Sequence, residues 1–177
     1  MYDCVAIVGP KGSGKSTIET ILAKEYDFHK VVSDTTRKSR PGERDGVDYN
    51  FVSEHQFRQH TLNKQYAEWV QARGAYYGIR KSELMYKDSV VVVDLEGLKQ
   101  IKGTGIKPLV VSLKAPMVVR WYRIHGRDNL RVFLKDTLHF WTKSIKPDLI
   151  FDNFGSNPHK IAKRIAIKFI VGGNYAN

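Results

Sequence analysis

The chain has 177 residues, a net charge of +11, 42% hydrophobic and 11% aromatic residues, and one cysteine. That is enough for one domain, or a core with inserted subdomains, to bury a proper interior, and it excludes a disordered chain and an internal disulfide. No apolar run approaches the ~18 residues of a membrane helix, and the N-terminus is expected to enter a strand directly, with no signal peptide.

Cys4 to Val8 is a short apolar run and reads as a buried strand, with Cys4 as a packing residue suited to a reducing cytoplasm. It leads into Gly9-Pro10-Lys11-Gly12-Ser13-Gly14-Lys15-Ser16, then Thr17. The pattern Gly, four residues, Gly-Lys-Ser is that of a phosphate loop (P-loop). Ile18, Ile21 and Leu22 mark the helix that follows, from about Ser16 to Tyr26. Glycines let the backbone approach an anion, and successive N–H groups at a helix N-terminus cradle phosphate. Lys15 is placed to reach the β/γ oxygens and the Ser16 hydroxyl to ligate Mg2+. The plainer alternative is a glycine turn before a helix, against which the strand–loop–helix order argues. The expected ligand is a nucleoside triphosphate; the loop does not say what receives its phosphate.

Val31-Val32 is a strand candidate, and 38–44 is a basic, turn-rich loop. A strand is expected over Tyr49–Val52, then a helix over Glu54 to about Leu62, capped by Ser53 with Phe57 inward. Tyr66 to Ala72 reads as an alternating strand, with Ala67 and Trp69 on one side and Tyr66, Glu68 and Val70 on the other. Ser82 is expected to cap a short helix. Residues 33–84 thus read as a polar insertion between core elements. The core resumes at Ser89–Asp94, where four valines precede a carboxylate at the ligand-binding end of a parallel strand. Leu109–Leu113 is a further strand. A helix from Pro116 carries Arg120, Arg123 and Arg127, and another runs from Leu130 to about Ser144. Leu149–Phe151 is the last strand, and Asn157-Pro158 opens a final helix with Ile161, Ile165 and Phe169 inward. Strands alternating with helices imply a parallel α/β sheet. The six histidines show no metal-ligand spacing, and the dispersed basic residues suit polyanionic nucleotides as well as nucleic acid.

The stretch Ser33-Asp34-Thr35-Thr36-Arg37-Lys38-Ser39-Arg40-Pro41-Gly42-Glu43, continued by Asp45-Gly46-Val47-Asp48-Tyr49-Asn50-Phe51-Val52-Ser53, closely resembles the signature of guanylate kinases. The likeness extends through Glu68-Trp69, Tyr76-Tyr77-Gly78 and the Asp94 strand, in order over almost the whole chain. It implies a P-loop parallel-sheet core (1–32, 85–120 and 136–177) flanked by helices, an inserted mixed acceptor-binding subdomain (33–84) and a short lid (121–135). It also implies an enzyme that passes the γ-phosphate of ATP to GMP or dGMP with Mg2+. On that resemblance Arg37 and Arg40 grip the acceptor phosphate, helped by the Tyr49 and Tyr77 hydroxyls. Glu68 accepts from guanine N1 and the exocyclic amine, with Ser33 beside it. Asp94 lies near the acceptor ribose and, with Ser16, the metal. Arg127 and Arg131 close over the triphosphate, joining Lys15 in catalysis, while Arg123 reads equally as structural or donor-side.

The chain departs from the family pattern at Val92, where a second aspartate is usual, at Glu96, and at Ile79, where serine or threonine is usual near the base. The lid segment is also shorter than usual. Other readings stay open: a non-catalytic guanylate-kinase-like binding module, a kinase of altered deoxynucleoside monophosphate choice, and a nucleic-acid-binding ATPase suggested only by the +11 charge. The expected partners are small nucleotides, without membrane or nucleic acid, for a cytoplasmic monomer or homodimer.

Overall fold

The structure, a computed structural model, describes residues 1–124, 130–142 and 145–174. Its core is a parallel sheet of β1 (Cys4–Val8), β2 (His29–Lys30), β7 (Ser89–Val92), β8 (Pro108–Lys114) and β9 (Leu149–Asp152), in the order β2-β7-β1-β8-β9. These strands are apolar on both faces because helices cover both faces. Val5 and Ile7 of β1 pack against α1 (Lys15–Glu25) and α7 (Pro158–Asn174) through Ile18, Leu22, Ile165 and Phe169. Cys4, Ala6 and Val8 face the other way, onto Leu95, Leu98 and Ile101 of α4 (Leu95–Gly103). Burial pushes the Cys4 thiol up to about 12, which suits an inert packing residue.

A second sheet is formed by β3 (Asp34–Thr35), β4 (Asn50–Phe51), β5 (Tyr66–Ala72) and β6 (Ala75–Arg80), in the order β4-β3-β6-β5. Its knot is Asp34, fully buried and shared among the strands. Oδ1 accepts from Arg80 Nε and Nη2 at 3.0 and 2.8 Å and from Asn50 Nδ2 at 3.0 Å. Oδ2 accepts from the Tyr66 hydroxyl at 2.8 Å. Against this sheet lies α2 (Glu54–Leu62), closed at its N-terminus by a capping box of Ser53 and Gln56.

Several boundaries differ from the sequence expectation. The first short strand falls on His29–Lys30 rather than Val31-Val32, because an edge strand needs only backbone pairing, and the Val31 N–H merely extends the ladder to Val90. The short helix α3 (Lys81–Leu84) starts before Ser82, where the Lys81 N–H is held by the Gln65 carbonyl, so Ser82 is no cap. Alternation along β5 is broken by a β-bulge between Tyr66 and Glu68. Tyr66 and Trp69 therefore share the face that packs on Phe57, with ring centroids at 4.4 and 6.5 Å, while Ala67 turns to the core. The remaining helices are α5 (Met117–Ile124) and α6 (Leu130–Thr142). Among the described residues no helix is long and apolar enough to cross a membrane.

Removing the shared carboxylate should loosen the second sheet. Asp34→Ala is expected to cost about 3 kcal/mol in urea unfolding, the low end for a broken buried ion pair, because the Arg80 side chain keeps 33% exposure.

Candidate active site

The C-terminal ends of β1, β7, β8 and β9 face one way, where open parallel sheets bind ligands. The β1–α1 connection is the glycine loop. Gly12 and Gly14 have φ of +76° and +95°, the left-handed region. A Cβ at Gly12 would stand 2.7 Å from the Arg120 carbonyl oxygen, and one at Gly14 would collide with the Asn153 amide. The loop's carbonyls are taken by surrounding donors: Lys15 Nζ to Gly9 O at 2.7 Å and Pro10 O at 3.2 Å, Arg120 Nη1 to Lys11 O at 3.2 Å, Arg123 Nη1 to Gly12 O at 3.2 Å, and Asn153 Nδ2 to Ser13 O at 2.9 Å. The Ser13 hydroxyl is fully buried with no hydrogen-bond partner among the described residues. An orphan donor in a glycine cradle beside a lysine fits a phosphate. Burial lowers the Lys15 ammonium below its usual range, partly offset by Asp136 and Asp94. Gly12, Gly14, Lys15, Ser16, Thr17, Arg123 and Ile124 line a cavity of about 440 Å³ beside the loop.

A second cluster forms around Arg37. Its Nη1 and Nη2 pair with Glu43 Oε2 and Oε1 at 2.8 and 2.9 Å, and Glu43 also accepts from the Arg40 N–H at 2.7 Å. Those bonds, with Arg37 foremost, hold the Glu43 carboxyl at about 2. The Arg37 guanidinium lies 5.3 Å from the Tyr49 ring, and Tyr77 meets Tyr49 edge-on at 6.0 Å. Arg37, Tyr49 and Tyr77 are thus brought together, with the Arg40 side chain exposed nearby.

The bulge decides the third part. Across the strands Tyr66 pairs with Arg80 and Glu68 with Ile79, so Ala67 and Glu68 face the core together. Glu68 leaves the Tyr66 side on which alternation would put it and lies against α4, its Oε2 3.2 Å from where a Cβ on Gly97 would stand. Burial, and secondarily the Asp94 charge, push its carboxyl up to about 7. Asp94 caps α4, Oδ1 accepting from the Glu96 and Gly97 N–H groups at 3.0 and 2.8 Å. Asp94 and Glu68 meet at Gly97, where a Cβ would stand 3.5 Å from Asp94 Oδ1 and 3.2 Å from Glu68 Oε2. Ser33 is half-buried, its carbonyl accepting from the Asn50 N–H at 2.9 Å. Arg131 is exposed on α6, and Arg127 lies outside the described residues.

Sequence reading overlooked Asn153 and Asp136, and left Arg120 without a role. Asn153 was legible, since it follows an apolar strand as Asp94 does. Asp136 and the inward guanidinium of Arg120 carry no sequence signal, because both depend on how α5 and α6 pack.

The profile of the guanylate kinase family matches residues 2–153. The chain belongs to the guanylate kinase family. Guanylate kinases of Chlamydia trachomatis serovar D and Schizosaccharomyces pombe are 36% and 34% identical to it over 137 and 131 residues. Those matches cover 73% and 70% of this chain, but 66% and 65% of the relatives' own length. The crystal structure of guanylate kinase from Anaplasma phagocytophilum shares the fold, with a TM-score of 0.68 at 20% identity over 99% of this chain and 88% of that one. This guanylate kinase family member therefore carries the complete loop pattern on the family's α/β fold, with Val92 packed against the apolar core and Ile79 buried beside Glu68.

The Glu68 carboxyl should titrate at about pH 7 in carbon-detected NMR of the nucleotide-free protein. Its folded state keeps a proton that the unfolded chain releases near the ordinary value of about 4.3, so stability should fall as pH rises between those values. Glu68→Gln should flatten that slope.

Proposed function

We propose that the chain is an ATP-dependent nucleoside monophosphate kinase that transfers the γ-phosphate of ATP to GMP or dGMP, yielding ADP and the diphosphate. The observation that carries this reading is the pairing of a complete phosphate loop, with an orphaned Ser13 hydroxyl, and a separate arginine–tyrosine cluster on the second sheet. One suits the donor's phosphates and the other a second phosphate. Glu68, turned to the core by the bulge, is the acceptor for the N1–H and amine of guanine.

The reaction needs no covalent intermediate and no protein base, since a phosphate oxygen is already a nucleophile. Catalysis is positioning in line plus neutralisation of charge. Lys15 leaves the Gly9 and Pro10 carbonyls for the transferring group, and Arg37 and Arg40 with Tyr49 and Tyr77 orient the acceptor phosphate. Arg127 and Arg131 are the lid groups of this reading. Ser16 and Asp94 are the residues that would hold Mg2+, which would supply charge neutralisation for the donor phosphates. Closure of 33–84 and 121–135 over the core excludes water that would otherwise hydrolyse ATP.

Ile79 favours a second reading, altered acceptor choice. Its buried side chain opposite Glu68 keeps that carboxyl poorly hydrated. Protonated, Glu68 offers one donor and one acceptor, the complement of adenine or cytosine rather than guanine.

A coupled assay with ATP, Mg2+ and GMP, dGMP, AMP, CMP, UMP and dTMP separates the readings: turnover confined to GMP and dGMP is expected, and no turnover with any acceptor would indicate a binding module. Lys15→Ala should lower kcat by about 10³-fold. Glu68→Gln should raise the GMP KM by roughly tenfold or more, with wild-type KM falling as pH rises through about 7 and the variant's staying flat.

A further inference from the structure

Lys11, inside the phosphate loop, is gripped from two sides. Its N–H donates to Asp136 Oδ2 at 2.8 Å, and its carbonyl accepts from Arg120 Nη1 at 3.2 Å. Arg120 is 1% exposed; Nη2 donates to the Thr137 hydroxyl at 3.0 Å, Nε to the Ala115 carbonyl at 3.2 Å, and the guanidinium lies 4.9 Å from the Phe133 ring. Helix α6 is thereby docked on the loop, and Asp136 is the negative charge it delivers there.

We propose that Asp136 is an internal anion that occupies the empty phosphate loop and is displaced when the donor's phosphates bind. A carboxylate oxygen and a phosphate oxygen make the same demand on a backbone N–H, and their like charges repel in one site. Lys15 is turned inward, onto the Gly9 and Pro10 carbonyls, rather than out towards the loop's cavity. Among the charges around Lys15, Asp136 does most to favour its protonated form, against the burial that disfavours it. The contact thus stabilises the nucleotide-free loop, weakens donor and loose-anion binding, and makes movement of α6 a consequence of ATP entry. This rests on reading the loop as a nucleoside triphosphate site and is independent of the acceptor.

The test compares the full chain with Asp136→Asn, which is isosteric and keeps an oxygen acceptor but not the charge. Calorimetric titration with ATP should show about tenfold tighter binding in the variant. Melting without nucleotide should come at a lower temperature in the variant than in wild type, while at saturating ATP the two should coincide. ATP binding that is unchanged or weaker in the variant would overturn the inference. So would a melting difference of equal size with and without ATP, since a merely structural contact persists in both states. A wild type that binds no ATP would sink the nucleotide reading and this inference with it; ATP binding by the wild type with an unresponsive variant would sink this inference alone.

Discussion

Everything at the site depends on how the glycine loop is held from behind. A phosphate cradle works only if N–H groups point inward, so the carbonyls need partners elsewhere. Here Arg120, Arg123 and Asn153 reach the Lys11, Gly12 and Ser13 carbonyls from α5 and the end of β9. Arg120 is the deepest of these, a fully buried guanidinium satisfied by carbonyls, a hydroxyl and an aromatic face. Its value is geometric: through Ala115, Lys11 and Thr137 it joins the end of β8, the loop and α6. Close approach of the Arg120 backbone and the Asn153 amide is also why Gly12 and Gly14 admit no side chain.

The second sheet solves a different problem. It has few strands and a small core, so one buried carboxylate does much of the joining. Asp34 gathers Arg80, Asn50 and Tyr66 from three strands. Phe57 of α2 then packs on rings that only the β5 bulge brings to one face. The same bulge turns Glu68 towards Asp94 and Gly97, so the device that builds the subdomain's aromatic core also presents the carboxyl to the cleft.

A common theme is that the chain's own carboxylates rest where phosphates are expected. Glu43 pairs with Arg37 through both oxygens, and Asp136 accepts from the loop at Lys11. For strongly basic clefts in a chain of net charge +11, internal counter-ions keep like charges from repelling in the nucleotide-free state. On the proposed function, substrate binding would exchange one anion for another.

The sequence by itself determined the chain's architecture and its phosphate-loop pattern. The apolar run Cys4 to Val8 followed by Gly-Lys-Ser is local information: strand, turn and helix each follow from residues within a few positions of one another. The valine strand, which the structure ends at Val92 with Asp94 capping the next helix, the Asn157-Pro158 helix start, and the closeness of Arg37, Tyr49 and Tyr77, which the signature implied, were legible too. Only the tertiary structure decided which way Glu68 faces, because a one-residue bulge reverses a period-two pattern without changing its composition. It alone placed Asp136 on the loop and Arg120 behind it, across sequence separations of 125 and 109 residues. Such contacts are fixed by the docking of whole helices, which periodicity and motif spacing do not encode.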